Sequence, residues 1–195
     1  MTELERMNRG EWYDPRDSEI AAMHQVARRL CRQFNRVESD EERAAILVEL
    51  FGDGLGKDVY ICETFHCDFP GRLVLGDRVF MNYGCKILNC GKVTIGEEVR
   101  FAPGVTVIAV KHPIDGRLRN YEPGNRANLA VDVKIGARTW IGAGAVIQPG
   151  VTIGEDVVIM ANAVVTKDVP SGQIWGGVPA KFVKHAAKDY GPDSL

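Results

Sequence analysis

The chain has 195 residues, of which 45% are hydrophobic, and a formal net charge of −2. This length suits one domain with at most a small appendage, and the weakly acidic balance argues against nucleic acid as a partner, which usually requires a basic surface. No apolar run approaches the ~20 residues of a membrane span, and the polar, acidic start does not resemble a signal peptide, so we expect a cytoplasmic protein with no membrane partner.

Residues 1–57 are predicted to form a helical segment that caps one end of the molecule. Asp14 followed by Pro15 is typical of a helix N-cap with proline at the first helical position. The apolar residues that follow recur on one helical face, namely Ile20, Met23, Ala27, Leu30 and Phe34. Ser39 and Glu42 resemble a capping box for a second short helix, which is then broken by Gly52, Gly54 and Gly56.

A period of six residues dominates the rest of the chain. One aliphatic row consists of Ile135, Ile141, Ile147, Ile153, Ile159 and Val165. A companion row two positions earlier is small or β-branched: Val133, Thr139, Ala145, Val151, Val157 and Ala163. An earlier block shows the same period with one slip of two residues: Leu75, Met81 and Ile87, then Ile95, Phe101 and Val107. Neither a helix nor a hairpin repeats at six, so the pattern predicts a solenoid of triangular coils over residues 58–170, with a short strand on each side.

The corners and the end of this solenoid also have sequence signals. Glycine follows the aliphatic residue at Gly76, Gly96, Gly136, Gly142 and Gly154. We expect these glycines near the corners, where they permit a positive φ. Pro170, Ser171 and Gly172 are expected to end the repeats, which leaves residues 171–195 as a C-terminal tail.

A polar segment rich in glycine and proline interrupts the repeats at residues 109–131. A loop of this length in a compact domain is usually functional or disordered. His112 lies near its start and has two interpretations. It is either a surface histidine or a general base, because imidazole titrates near neutral pH and takes a proton from a hydroxyl.

Five cysteines, an odd number without a secretion signal, predict free thiols. Cys62, His66 and Cys67 are weakly reminiscent of a metal cluster. Small thiols that fill the core, with a histidine nearby by chance, explain this spacing better, so no metal site is predicted.

Five segments carry a family resemblance that covers nearly the whole chain. They are MTELERMNRGEWYDPRDSEI, FHCDFPGRLVLGDRVFMNYGCKIL, FAPGVTVIAVKHP, VKIGARTWIGAGAVIQPGVTIGEDVVIMANAVVTKDVP and GGVPAK. These segments resemble the maltose/galactoside O-acetyltransferases, a family of hexapeptide-repeat acyltransferases. The resemblance implies a mainly β fold, a left-handed parallel β-helix with an N-terminal helical cap and one long excursion loop. It also implies a homotrimer with active sites between subunits, acetyl-CoA as the co-substrate, a sugar hydroxyl of maltose, glucose or galactoside type as the acceptor, and no metal.

The resemblance also implies roles for individual positions. His112 matches the general base that deprotonates the acceptor hydroxyl. The positions that match acceptor-site residues are Asp14, Asp68, Asn82 and Trp140. The positions that match the site of the pantetheine arm and the phosphates of CoA are Ala143, Ala161, Thr166, Lys167, Lys181 and Lys184. Several of these positions also have structural interpretations. Asp14 can serve as an N-cap, Asn82 and Trp140 as corner residues of the coil, and the lysines as solvated charges.

The sequence departs from the family pattern around the acceptor pocket. Residues 128–132 lack the family's usual pair, Gly84 replaces an asparagine, and Asn89 with Cys90 replaces an acidic pair of the galactoside enzymes. The acceptor therefore stays open. The alternatives are an acyltransferase with a non-sugar acceptor, a non-catalytic scaffold, and a zinc hydrolyase on the same coil. The last requires about three histidines on the coils, but two of the four histidines lie in the cap and the tail.

Overall fold

The computed structural model of this protein describes residues 1–119, 122 and 124–186. The chain forms an N-terminal helical cap, a parallel β-helix and a small antiparallel sheet that joins the two. None of the helices in these residues is both long and apolar enough to cross a membrane.

The cap contains three helices, a short strand and a 3-10 turn: α1 (Glu3–Asn8), β1 (Trp12–Tyr13), α2 (Ser18–Phe34), α3 (Asp40–Phe51) and η1 (Gly52–Gly54). Asp17 is the N-cap of α2, because its carboxylate accepts hydrogen bonds from the backbone N–H groups of Glu19 and Ile20. The prediction that Asp14 is this N-cap is therefore wrong. Ser39 caps α3 as expected, with its hydroxyl accepting from the backbone N–H of Glu42 at 3.3 Å.

The β-helix has three faces of parallel strands. Face 1 contains β4 (Leu73–Leu75), β7 (Val93–Ile95), β12 (Val133–Ile135) and β15 (Thr152–Ile153). Face 2 contains β2 (Tyr60–Ile61), β5 (Phe80–Met81), β8 (Arg100–Phe101), β13 (Trp140–Ile141), β16 (Val158–Ile159) and β18 (Gln173–Gly176). Face 3 contains β3 (His66–Cys67), β6 (Lys86–Leu88), β9 (Thr106–Ile108), β14 (Val146–Ile147) and β17 (Val164–Val165). The chain visits the faces in the repeating order 1, 2, 3.

The six-residue period is the spacing of these strands. Every residue of the aliphatic row that begins at Ile135 is at most 2% exposed, and so is every residue of the companion row. The polar member, Thr139, is satisfied inside the coil because its hydroxyl donates to the carbonyl of Gly154 at 3.0 Å. The interior is therefore a continuous apolar column, as the period predicts.

The coils have two lengths. In the first half, Leu73 pairs with Val93, which is 20 residues later. In the second half, Lys134 pairs with Thr152, which is only 18 residues later. The two extra residues lie at the corner between face 3 and face 1, within residues 68–72 and 88–92. The two-residue slip in the sequence is this longer corner.

The expected role of the corner glycines in supplying a positive φ is wrong. None of the five has a positive φ; in the first of these corners the left-handed residue is Arg78, at φ 58°. These glycines are required by the close approach of neighbouring coils. A Cβ on Gly76 would lie 2.5 Å from the backbone nitrogen of Glu97, and one on Gly136 would lie 2.5 Å from the carbonyl carbon of Gly154.

The excursion at residues 109–131 is more ordered than the predicted loop. It contains β10 (Val110–Lys111), the 3-10 turn η2 (Gly116–Leu118) and β11 (Asn128–Ala130), while residues 120, 121 and 123 lie outside the described part. Strand β11 pairs antiparallel with β10 and with β1 of the cap. The guanidinium of Arg126 also forms an ion pair with Glu3 at 2.9 Å. The cap therefore holds the excursion against the coils.

The predicted tail is structured over its described part, residues 171–186. Strand β18 continues face 2 beside β16, and β19 (Lys181–His185) returns antiparallel to it. Residues 187–195 of the predicted tail lie outside the described residues.

Candidate active site

The candidate active site is a cleft of about 290 Å³ where the cap, the long corners and the excursion meet. The cap contributes Tyr13, Pro15, Ile20 and His24, the corners contribute Asp68, Phe69, Leu88 and Cys90, and the excursion contributes Val110, His112 and Asn128. Among the residues predicted to form the site, the structure thus brings His112 and Asp68 together in one cleft.

The ring of His112 is fixed in one orientation by the excursion. Its Nδ1 lies 3.0 Å from the carbonyl oxygen of Ala127. A carbonyl oxygen only accepts hydrogen bonds, so Nδ1 must carry the proton. In the neutral ring, Nε2 is then left with its lone pair. This tautomer has the form that a general base needs.

Asp68 is held in the cleft by the next coil. The side-chain oxygen of Asn89 accepts from the backbone N–H groups of Asp68 and Phe69 at 2.9 and 3.0 Å, and its amide donates to the carbonyl of Phe69 at 2.7 Å. Asn89 is fully buried, at 0% exposure. Asn89, which departs from the family pattern, therefore joins two consecutive long corners through its side-chain hydrogen bonds.

His24 is a cleft residue that the sequence analysis missed. Its Nε2 lies 3.5 Å from a carboxylate oxygen of Asp68, and its ring centroid lies 5.6 Å from that of Phe69. The signal that could have found it is its spacing on α2. His24 follows the buried Ile20 by four residues and precedes the buried Ala27 by three, so it lies on the face of the helix that packs inward.

Uncharged groups form the floor of the cleft. Burial raises the pKa of Cys90 to about 11, and burial together with Cys90 raises the pKa of the Tyr13 phenol. The Tyr13 hydroxyl lies 3.4 Å from the amide nitrogen of Asn128, which donates to it. At neutral pH this floor presents a neutral thiol, a phenol and an amide.

Asp14 lies beside the cleft, at the contact between cap and excursion. Although burial acts in the opposite direction, hydrogen bonds from Arg16 and from the backbone N–H of Gly124 lower the pKa of Asp14. The N–H of Arg16 donates at 2.9 Å and that of Gly124 at 3.2 Å. The carboxylate of Asp14 therefore takes part in a structural contact between the cap and the excursion.

Asn82 and Trp140 are on another side of the molecule. Asn82 follows β5 on face 2, and its side-chain oxygen accepts from the backbone N–H of Tyr83 at 2.8 Å. Trp140 lies in β13 on the same face and is 55% exposed. Neither residue lines the cleft that contains His112 in the same chain.

The predicted CoA residues lie on the later coils and the final hairpin. Ala143 and Ala161 are exposed and stack at one corner, where the N–H of Asn162 donates to the carbonyl of Ala143 at 2.8 Å. Thr166 and Lys167 follow β17, and Lys181 and Lys184 are exposed on β19.

Lys167 has a contact that the sequence did not indicate. Its Nζ lies 5.5 Å from the ring centroid of Trp175, which orients the ammonium group over an aromatic face. Within the described residues, no group of three histidine, cysteine, aspartate or glutamate side chains is arranged to hold a metal ion.

Fold and cleft together define a hexapeptide-repeat acyltransferase. Residues 6–54 match the maltose acetyltransferase hexapeptide capping motif, and residues 132–167 match the bacterial transferase hexapeptide of six repeats. The chain is 36% identical to a putative acetyltransferase of Dictyostelium discoideum, with 94% of each chain covered. It is 30% identical to the galactoside O-acetyltransferase of Lactococcus lactis, over 94% of this chain and 87% of that one.

Solved structures agree with this assignment. A maltose O-acetyltransferase from Clostridium difficile is 37% identical with a TM-score of 0.90, over 96% of this chain and 99% of that one. An acetyltransferase from Vibrio cholerae in complex with acetyl-CoA is 34% identical with a TM-score of 0.84, over 96% and 100% of the two chains. The chain belongs to the maltose/galactoside O-acetyltransferase family. The mainly β fold implied by the resemblance, a parallel β-helix with an N-terminal helical cap, is confirmed.

Proposed function

We infer that this protein is an acetyl-CoA-dependent O-acetyltransferase that moves the acetyl group to a hydroxyl of a sugar. The observation that carries this inference is His112, held with Nδ1 protonated in a cleft between cap, coils and excursion. Family membership supports acetyl-CoA as the donor. The galactoside and maltose O-acetyltransferases among the similar proteins support a sugar of maltose, glucose or galactoside type as the acceptor.

The reaction is a direct transfer assisted by His112. Nε2 removes the proton from the acceptor hydroxyl as its oxygen attacks the thioester carbonyl carbon of acetyl-CoA. The new C–O bond forms, the C–S bond breaks, and the CoA sulfur takes the proton that the imidazolium carries. Holding both substrates in one cleft supplies much of the rate, because it replaces a bimolecular encounter by an oriented one.

Asp68 and His24 are proposed to bind the acceptor. A carboxylate accepts hydrogen bonds from sugar hydroxyls, and the apolar wall of Phe69 and Leu88 suits the C–H face of a sugar ring. For the donor, Ala143 and Ala161 present a shallow surface for the pantetheine arm. Thr166, Lys167, Lys181 and Lys184 are proposed to face the phosphates, where positive charge matches an anionic substrate.

We further propose a homotrimer in the cytoplasm. Asn82 and Trp140 lie on face 2, away from the cleft of their own chain, so they act on an acceptor only in the cleft of a neighbouring copy. Exposed apolar side chains on the same face, Tyr60, Trp140 and Met160, support burial against another copy. Five free, buried cysteines fit a reducing compartment. We also retain the division into a cap (1–57), a β-helix (58–170) and a C-terminal segment (171–195).

The decisive experiment follows the release of free CoA thiol from acetyl-CoA. Glucose, maltose, simple galactosides and an amino sugar are offered as acceptors, with buffer alone as the blank. His112→Ala should reduce turnover about 10²- to 10⁴-fold, because a general base contributes this much. His66→Ala, a histidine outside the cleft, is the matched control and should retain activity. Absence of both turnover and acetyl-CoA binding would favour a non-catalytic scaffold, and binding without turnover would favour a non-sugar acceptor.

A further inference from the structure

Cys31 and Cys67 form a pair of buried thiols where helix α2 packs on strand β3. Their Sγ atoms are 3.8 Å apart, although the residues are 36 positions apart in the chain. A disulfide requires about 2.05 Å between the sulfurs, so an inward movement of less than about 2 Å would suffice. We propose that Cys31 and Cys67 are an oxidation site whose reversible disulfide changes acceptor binding.

A second cavity of about 280 Å³ adjoins this pair. Its lining contains both thiols together with His24, Arg28, Arg32, His66 and Asp68. Hydrogen bonds with Cys67 lower the pKa of Cys31, although the Asp68 carboxylate raises it, so these hydrogen bonds are what favour the thiolate, the form that reacts with oxidants.

Cys31 differs from the other four cysteines. The hydrogen bond from the Cys67 thiol lowers the pKa of Cys31, whereas burial raises the pKa of Cys85 and of Cys90 to about 11. The pKa of Cys67 is raised, chiefly by its hydrogen bond with Cys31. The pair thus resembles a nucleophilic thiol with a protonated partner, and Cys31 is the thiol that reacts first.

The oxidant is a hydroperoxide. The Cys31 thiolate attacks one peroxide oxygen, the O–O bond breaks, and a sulfenic acid forms with release of hydroxide. Cys67, losing its proton, then attacks the Cys31 sulfur; the S–S bond forms, the S–O bond breaks, and water leaves. With hydrogen peroxide, two thiols and one peroxide give one disulfide and two waters. A dithiol reductant reverses the step by thiol–disulfide exchange.

The link to the cleft rests on the proposed function. Asp68 directly follows Cys67, and α2 supplies both Cys31 and His24, the partner of Asp68. The pair His24–Asp68 lines both cavities. Drawing the two sulfurs together moves β3 and α2 at the point where both reach the acceptor.

The first test maps disulfides by mass spectrometry after treatment of the whole protein with hydrogen peroxide. We expect a peptide pair containing Cys31 and Cys67 that has lost two hydrogens and separates on reduction. Cys31→Ser and Cys67→Ser should each abolish it, and the matched control Cys62→Ser should retain it. No cross-link in the wild-type protein, or a different pairing, overturns the proposal whatever the variants do.

The second test compares the KM values of the oxidised and reduced wild-type protein. We expect a rise in the acceptor KM of about three- to tenfold, because small displacements of binding groups weaken a positioned contact. The KM for acetyl-CoA should not change, and reduction should reverse the effect. An unchanged acceptor KM in the cross-linked protein overturns the coupling. Disulfide mapping needs no turnover, so a reduced protein inactive on every sugar would refute the proposed function separately.

Discussion

The first and second halves of the β-helix share an interior and differ at one corner. Both halves bury the same apolar rows, but the early coils take 20 residues per turn and the later coils take 18. The long corners of the early coils contain Asp68, Phe69 and Cys90. The excursion with His112 begins at the same corner, one coil later. The later coils have a short corner there and contain no cleft residue. The candidate active site thus lies where the six-residue period of the solenoid is broken.

Core substitutions in the two halves should have equal effects on stability and unequal effects on the cleft. Ile87→Ala and Ile147→Ala each remove a side chain that is at most 1% exposed. Each should cost about 2–5 kcal/mol, measured by denaturant unfolding. Ile87 precedes Leu88 of the cleft, so its variant should also raise the acceptor KM. Equal KM values in both variants would contradict the comparison.

Asn89→Ala should damage the long corner specifically. It leaves the N–H groups of half-buried Asp68 and buried Phe69, and the carbonyl of Phe69, without partners, which should cost roughly 2–3 kcal/mol. The acceptor KM should rise because Asp68 loses its support, whereas the KM for acetyl-CoA should stay unchanged. Gln148→Ala, at the equivalent corner of the later coils, is the control and should change neither the stability nor the acceptor KM.

Glu3→Gln should weaken the contact between cap and excursion in a pH-dependent way. The hydrogen bond from Arg126 lowers the pKa of Glu3 below its usual value. A carboxylate whose pKa is lower in the folded state than in the unfolded state stabilises the folded protein at pH values above the unfolded pKa of about 4.3. This stabilisation is lost as the pH falls through the folded pKa. The variant should therefore lower Tm by less than about 3 °C at pH 7. The difference should shrink as the pH falls below the unfolded value towards the folded pKa; a difference that did not change with pH would show another cause.

The smallest effect is expected at the exposed charges of the later coils. Arg138 pairs with Glu155 and Asp156, each at 2.7 Å, but all three side chains face solvent. Solvent screens such pairs and side-chain entropy opposes them, so Arg138→Ala should leave Tm and activity unchanged. A clear loss of stability would show that the ion pairs of Arg138 contribute to stability in addition to the apolar interior.

The period alone predicted the coil and its core, because an interior only one side chain wide leaves few arrangements for a six-residue repeat. The slip after Ile87 was visible in the sequence, but its meaning depended on which corner it lengthened. Asp14 was misassigned because Asp17, three residues later, offers the same capping chemistry. His24 was missed because it lies in the cap, and the sequence does not indicate that this helix packs beside Asp68. The pairing of β1 with β11 joins distant segments, and no local pattern indicates it.

That pairing also determines when the candidate active site forms during folding. Trp12 pairs with Leu129, so the first strand of the chain has no partner until residues far downstream are available. Contacts between residues so far apart in the chain form late, because the entropy cost of closing the intervening loop comes before the contact contributes any stability. During synthesis, the coils of the first half are complete before the excursion emerges. The cleft therefore forms only after the excursion has joined the coils of the first half, and a chain truncated before residue 128 lacks β11, the strand that pairs with both β1 and β10.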